Sequence, residues 1–113
     1  MVDAKDIIQK IKEGNSVHYN GEEIQGNIEG IAGVIASQMS LTYCVFKGNV
    51  NLKGVTFSGE VSFRGSSFKR ESNFEGIIAK KIVDFKNATF EYDFKGSGTA
   101  TKKTVFQSGV VFN

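Results

Sequence analysis

Residues 55–65 read Val55-Thr56-Phe57-Ser58-Gly59-Glu60-Val61-Ser62-Phe63-Arg64-Gly65. The stretch holds two copies of one short phrase: a small apolar residue, a polar residue, phenylalanine, then a polar residue and glycine. Small-in, polar-out, large-in is the period-2 signature of a strand. Glycine just after it can supply the positive φ of a tight turn. Each phrase therefore predicts a strand of about three residues followed by a corner.

The phrase recurs in both directions. From Leu41 the bulky positions are Leu41, Phe46, Leu52, Phe57, Phe63, Phe68, Phe74, Ala79, Phe85 and Phe90, with spacings that alternate between 5 and 6. Extended backwards, the alternation lands on Ile35, Gly30 and Ile24. Seven of the ten phenylalanines stand in this column, so the predicted core is Phe46, Leu52, Phe57, Phe63, Phe68, Phe74, Phe85 and Phe90. Two residues before each lies a second inward column, small or apolar throughout, including Cys44, Val50, Ser66, Ser72 and Ala88. A step of five or six residues turns an α-helix by about 500–600°, which would scatter the column around the axis. Hairpin sheets need longer strands. Short strands and repeated corners that bend one way make a coil, and stacked coils bury a continuous core.

At Val55-Thr56-Phe57-Ser58-Gly59, Ser66-Ser67-Phe68-Lys69-Arg70 and Ala88-Thr89-Phe90-Glu91 the chain resembles the pentapeptide-repeat family. It departs from a strict five-residue unit, since every second corner gains a residue, as in Gly59-Glu60-Val61-Ser62-Phe63. The resemblance implies an all-β fold, a right-handed quadrilateral β-helix with four units, here 22 residues, per coil. Phe46, Phe68 and Phe90 would then stack on one face.

The division expected is a helical cap and lead-in over 1–23, then the solenoid over 24–113 with an irregular loop near 95–103. Residues 3–13 read as the capping α-helix: Asp3 as N-cap, Gly14 past the end, and Ala4, Ile7, Ile8 and Ile11 on one apolar face. Regular spacing stops after Phe90 and resumes at Thr104-Val105-Phe106 and Val110-Val111-Phe112. That interrupted end suggests either part of a longer array or self-association through Phe106, Val110 and Phe112.

The 113 residues carry a formal charge of +2, unevenly spread. Residues 1–45 have three lysines against six acids, a balance of −3; residues 46–113 have eleven bases against six acids, a balance of +5. A mildly basic array permits weak anion binding without requiring it. Lys47 over Lys69, Arg64 over Lys86, and Arg70 at a corner form the candidate anion or partner surface. Exposed lysines also commonly serve only to solubilise a sheet.

Catalytic and metal chemistry find little footing. His18 is the single histidine and precedes the array, and Cys44 sits in the small inward column. Neither belongs to a cluster with metal-ligand spacing. Gly96–Lys103 lacks the glycine before lysine that a phosphate loop needs. Asn51 and Asn73 read as a stacked surface hydrogen-bond ladder. No catalytic residues, metal or cofactors are expected. A lone cysteine, an early acidic N-terminus and short apolar runs point to a cytoplasmic protein without a membrane role. The expected function is a non-enzymatic repeat scaffold or protein-interaction module, its partner another protein and not nucleic acid. A weak anion-binding surface is the alternative. Some pentapeptide-repeat proteins inhibit DNA gyrase by imitating DNA in shape and negative charge, and this array, being net positive, departs from that pattern.

Overall fold

The computed structural model describes residues 1–96 and the strands Thr104–Val105 and Val111–Phe112. Its strands form four parallel sheets, the faces of a square-sided solenoid. Face one holds Val2–Asp3, Glu23–Gln25, Val45–Phe46, Ser67–Phe68, Thr89–Phe90 and Val111–Phe112. Face two holds Val50–Asn51, Ser72–Asn73 and Phe94–Lys95, joined by an isolated bridge from Ile28 to Val50. Face three holds Val34–Ile35, Thr56–Phe57 and Ile78–Ala79. Face four holds Val17–Asn20, Met39–Thr42, Val61–Ser62, Val83–Asp84 and Thr104–Val105. Partners one coil apart differ by 22 residues, as in Val45, Ser67 and Thr89. Val83 pairs with Thr104, 21 residues on, so the last circuit loses one residue on face four.

The helix α1 (Ala4–Lys12) is part of the first coil. The chain leaves face one at Asp3 and rejoins face four at Val17, while Val2 still pairs with Ile24 and Val17 with Met39. One helix thus replaces the two short strands that faces two and three receive in later coils. The hydrogen-bonded ladder accordingly begins before residue 24. Asp3 caps α1 by accepting from the Lys5 N–H at 2.9 Å, satisfying one of the orphan donors at a helix start. Ala4, Ile7 and Ile11 are buried and Ile8 packs against the core, so an amphipathic face closes the end of the solenoid.

The interior is a stack of rings. Phe46, Phe68 and Phe90 lie nearly parallel, with centroids 4.8 and 4.7 Å apart, the strand repeat itself. Phe63 stacks on Phe85 at 5.3 Å and meets Phe68 and Phe74 edge-on. All eight core residues read from the column are buried. Burying one phenylalanine contributes roughly 1.5–3 kcal/mol, and aromatic pairing adds about 0.5–1.5 kcal/mol per pair.

The alternation of five and six has a backbone cause. From Leu41 onward, the described residues with positive φ are Tyr43, Gly54, Gly65, Gly76 and Asn87, and each stands in a five-residue step. Four of these steps close with a hydrogen bond between ends three residues apart, such as Ser66 N–H to Phe63 C=O at 3.1 Å. Positive φ at the third residue is what a type II turn requires, and the tight turn saves a residue. Gly48 and Gly59, expected to supply positive φ as well, fall in six-residue steps and do not. Gly48 answers a different need: a Cβ there would lie 2.2 Å from the Gly26 carbonyl oxygen of the coil below.

The column also slips at its ends. Gly30 is exposed, and Ile28, two residues earlier, is the buried residue of face two in the second coil. In the last described coil Phe94 takes the small position above Ser72. Its ring fills the space a side chain on Gly96 would need, since a Cβ there would lie 2.3 Å from it.

Candidate interaction surfaces

The outward residue of each strand points away from the ring-filled interior, and among the described strands most such residues are exposed or half-buried, with Asn73 buried. On faces two and four the outward residue closes its own corner. Asn51 Oδ1 accepts from Lys53 N–H at 3.1 Å, Asn73 Oδ1 from Glu75 N–H at 3.0 Å, and Asp84 Oδ1 from Lys86 N–H at 2.8 Å. These are local Asx-type bonds. Asn51 and Asn73 therefore do not form the ladder read from sequence. A coil-to-coil ladder exists instead at a corner, where Asn49 N–H donates to Asn27 Oδ1 at 2.8 Å and Glu71 N–H to Asn49 Oδ1 at 3.2 Å.

The candidate cations are mostly neutralised. Lys47 pairs with Glu23 at 3.7 Å and Lys69 with Glu91, both on face one. On face four, Arg64 binds Asp84 through Nη2 at 2.9 Å and Nε at 3.0 Å. Arg70 and Lys86 have no ion pair among the described residues. The structure thus brings Lys47 and Lys69 to one face and Arg64 and Lys86 to the next, but three of the four carry their own counter-charge. The partners lie 20 to 24 residues away, one coil up or down with a shift of at most two. Glu23 and Asp84 stand two positions out of the column of bases, where spacing alone did not show them, whereas Glu91 stands in the column itself, 22 residues from Lys69.

Face three is different. Its outward positions are Val34, 64% exposed, Thr56, half-buried, and Ile78, 48% exposed, with Ile82, 54% exposed, at the corner beyond. No ion pair crosses it among the described residues.

The reactive side chains point elsewhere. Cys44 is buried, with its Sγ 3.4 Å from the Thr42 carbonyl oxygen and 3.6 Å from that of Tyr19. Burial pushes the thiol up, against a weaker downward pull from backbone hydrogen bonds, and a thiol held protonated is a poor nucleophile. His18 is exposed on face four opposite Ser40. Among the described residues no three His, Cys, Asp or Glu side chains gather as metal ligands would. Ser66 acts on the backbone. Its hydroxyl donates to the Leu41 carbonyl at 2.7 Å and accepts from Cys44 N–H at 3.0 Å, so it bridges the two ends of the turn around Tyr43. Phe106, Val110 and the Phe112 side chain lie outside the described residues, as does most of Gly96–Lys103.

Square coils of 22 residues, a phenylalanine-stacked interior and parallel ladders on all sides define a β-solenoid. More narrowly, residues 41–89 match the family model for pentapeptide repeats, in nine copies, and that stretch of the solenoid is a pentapeptide-repeat array. Neither a curated protein nor a solved structure matches the chain. No helix among the described residues is long and apolar enough to cross a membrane.

Proposed function

We propose that the protein is a non-enzymatic repeat scaffold that presents its outer faces to another protein. The supporting observation is the division of labour within each strand. Inward positions are taken up by stacked rings and aliphatic side chains, which leaves the outward positions to carry chemistry. Those outward positions differ from face to face although the backbone repeats, which suits recognition by shape and surface pattern.

The test is a tagged pull-down from source lysate, with and without nuclease, at rising salt. Retention of one protein through nuclease and moderate salt supports the module. Loss of everything with nuclease favours the second reading, an anion surface at Lys47, Arg64, Lys69, Arg70 and Lys86, since phosphate contacts are strongly salt-dependent. The internal ion pairs of three of these residues weigh against it. A gyrase supercoiling assay should show no inhibition. Self-association through the C-terminal end predicts concentration-dependent scattering mass, abolished by Phe112→Glu.

A further inference from the structure

We propose that face three, with the grooves at two of its corners, docks an extended segment of a partner protein that carries aliphatic residues between carboxylates. The inference rests on the scaffold reading above and adds the face and the chemistry of the occupant.

Three observations converge on this face. It exposes branched aliphatic side chains at Val34, Ile78 and Ile82, where faces two and four turn out asparagine, serine and aspartate. Single exposed aliphatics are ordinary, but Val34 and Ile78 flank Thr56 in one column with Ile82 beside them, and such a cluster next to concave surface marks an interaction site. One groove, of about 540 Å³, lies where the chain turns from face three to face four, lined by Met39, Glu60, Val61, Lys80, Lys81 and Ile82. A second, of about 410 Å³, lies at the opposite corner beside the end of α1, lined by Ile11, Lys12, Ile31, Ala32 and Val34. The aliphatic row runs between them.

Charge chooses the occupant. Lys80 and Lys81 at one end and Lys12 at the other have no ion pair among the described residues, unlike Lys47, Lys69 and Arg64. Asp84, also on the first groove, is held by Arg64, which leaves Glu60 as that groove's one uncompensated acid among the described residues. An apolar middle between cationic ends complements aliphatic side chains between carboxylates. Size argues against a second copy of the chain. Three two-residue strands span roughly 14 by 7 Å, far short of the ~800 Å² per partner of a stable interface, but enough for one extended segment.

The probe is a fluorescein-labelled peptide, Glu-Glu-Val-Thr-Val-Thr-Val-Glu-Glu, followed by anisotropy on the full chain, with a lysine-flanked version and a version in which serine replaces valine. The acidic aliphatic peptide should bind saturably and both controls at least tenfold more weakly. Ile78→Glu, and separately the double variant Lys80→Glu/Lys81→Glu, should weaken it at least tenfold, and Ser67→Glu on face one should leave it unchanged. Thermal melts establish that each variant is folded; if the double variant is not, the lysine-flanked peptide alone decides the role of charge. No saturable binding, equal binding of the lysine-flanked peptide, or indifference to Ile78→Glu each overturns the proposal. A dimer in sedimentation that Ile78→Glu disperses would overturn it in favour of a second copy. A photo-crosslinking residue at position 78 or 67, used in source lysate, separates the two readings. A protein captured from 67 and not from 78 leaves the scaffold reading standing and removes face three, whereas capture from neither removes both.

Discussion

Faces one and three share a backbone and a repeat but spend their side chains in opposite ways. Inside, face one repeats the same ring, Phe46, Phe68 and Phe90, while face three sets Ile35, Phe57 and Ala79 in the same column. Outside, face one carries the ion pairs Lys47–Glu23 and Lys69–Glu91, and face three carries Val34 and Ile78. The coil spacing dictates only that the interior be filled. Where Ala79 leaves the large position short, Ile77 is buried two residues earlier, so volume is kept across a pair of positions and not at each one. The exterior carries no such constraint, and two faces of one solenoid can diverge freely.

The largest effect should separate the two interiors. Phe68→Ala removes a ring stacked on both sides and should cost about 3–5 kcal/mol by urea unfolding. Phe57, which makes no ring–ring contact among the described residues, should lose less by about two stacked pairs, at roughly 0.5–1.5 kcal/mol each. Equal losses would mean that stacking adds nothing to burial.

Next comes the exchange of volume. Ala79→Phe alone overpacks face three and should cost about 1–3 kcal/mol. Adding Ile77→Ala should recover much of that loss, and a double-mutant cycle with no coupling would sink the idea that the two positions share one volume.

Two serines in the small inward column sharpen the contrast between interior positions. Ser66 bridges the Leu41–Cys44 turn, so Ser66→Ala should cost about 1–3 kcal/mol by exposing two backbone groups without partners. The buried Ser72 hydroxyl has no hydrogen-bond partner among the described residues, so Ser72→Ala should be neutral or stabilising by up to about 1 kcal/mol in the same assay.

The smallest effects lie outside. Breaking the exposed Arg64–Asp84 pair with Arg64→Ala should cost at most about 1 kcal/mol, and less at high salt. Ile78→Ser should shift stability by no more than about 0.5 kcal/mol, because the side chain is half in water already. A large loss there would mean that Ile78 belongs to the core and not to a surface.

Residues 41–90 made most of the fold legible, because a buried position repeated every five or six residues leaves the same side chain each time. The helix was equally plain: Asp3, Gly14 and the isoleucines state its ends and its inner face locally. The break after Phe90 was legible as lost spacing, but the slip at Gly30 was not, because Ile28, two residues away, fills the gap only when the coils are stacked. The proposed basic surface was legible as a row of cations broken by Glu91, but Glu23 and Asp84 stand one coil away at separations of 24 and 20, out of the column, and so were not legible from it.

By itself, then, the sequence determined the in–out alternation, the period of the coil and the capping helix, since each follows from local spacing and side-chain size. Tertiary structure alone decided that α1 substitutes for two faces of the first coil and that left-handed residues belong to the five-residue corners. It also decided which lysines remain without a counter-charge. Those outcomes depend on which residues meet across a coil of 22, a distance at which no local propensity acts and only packing and charge in the folded stack make the choice.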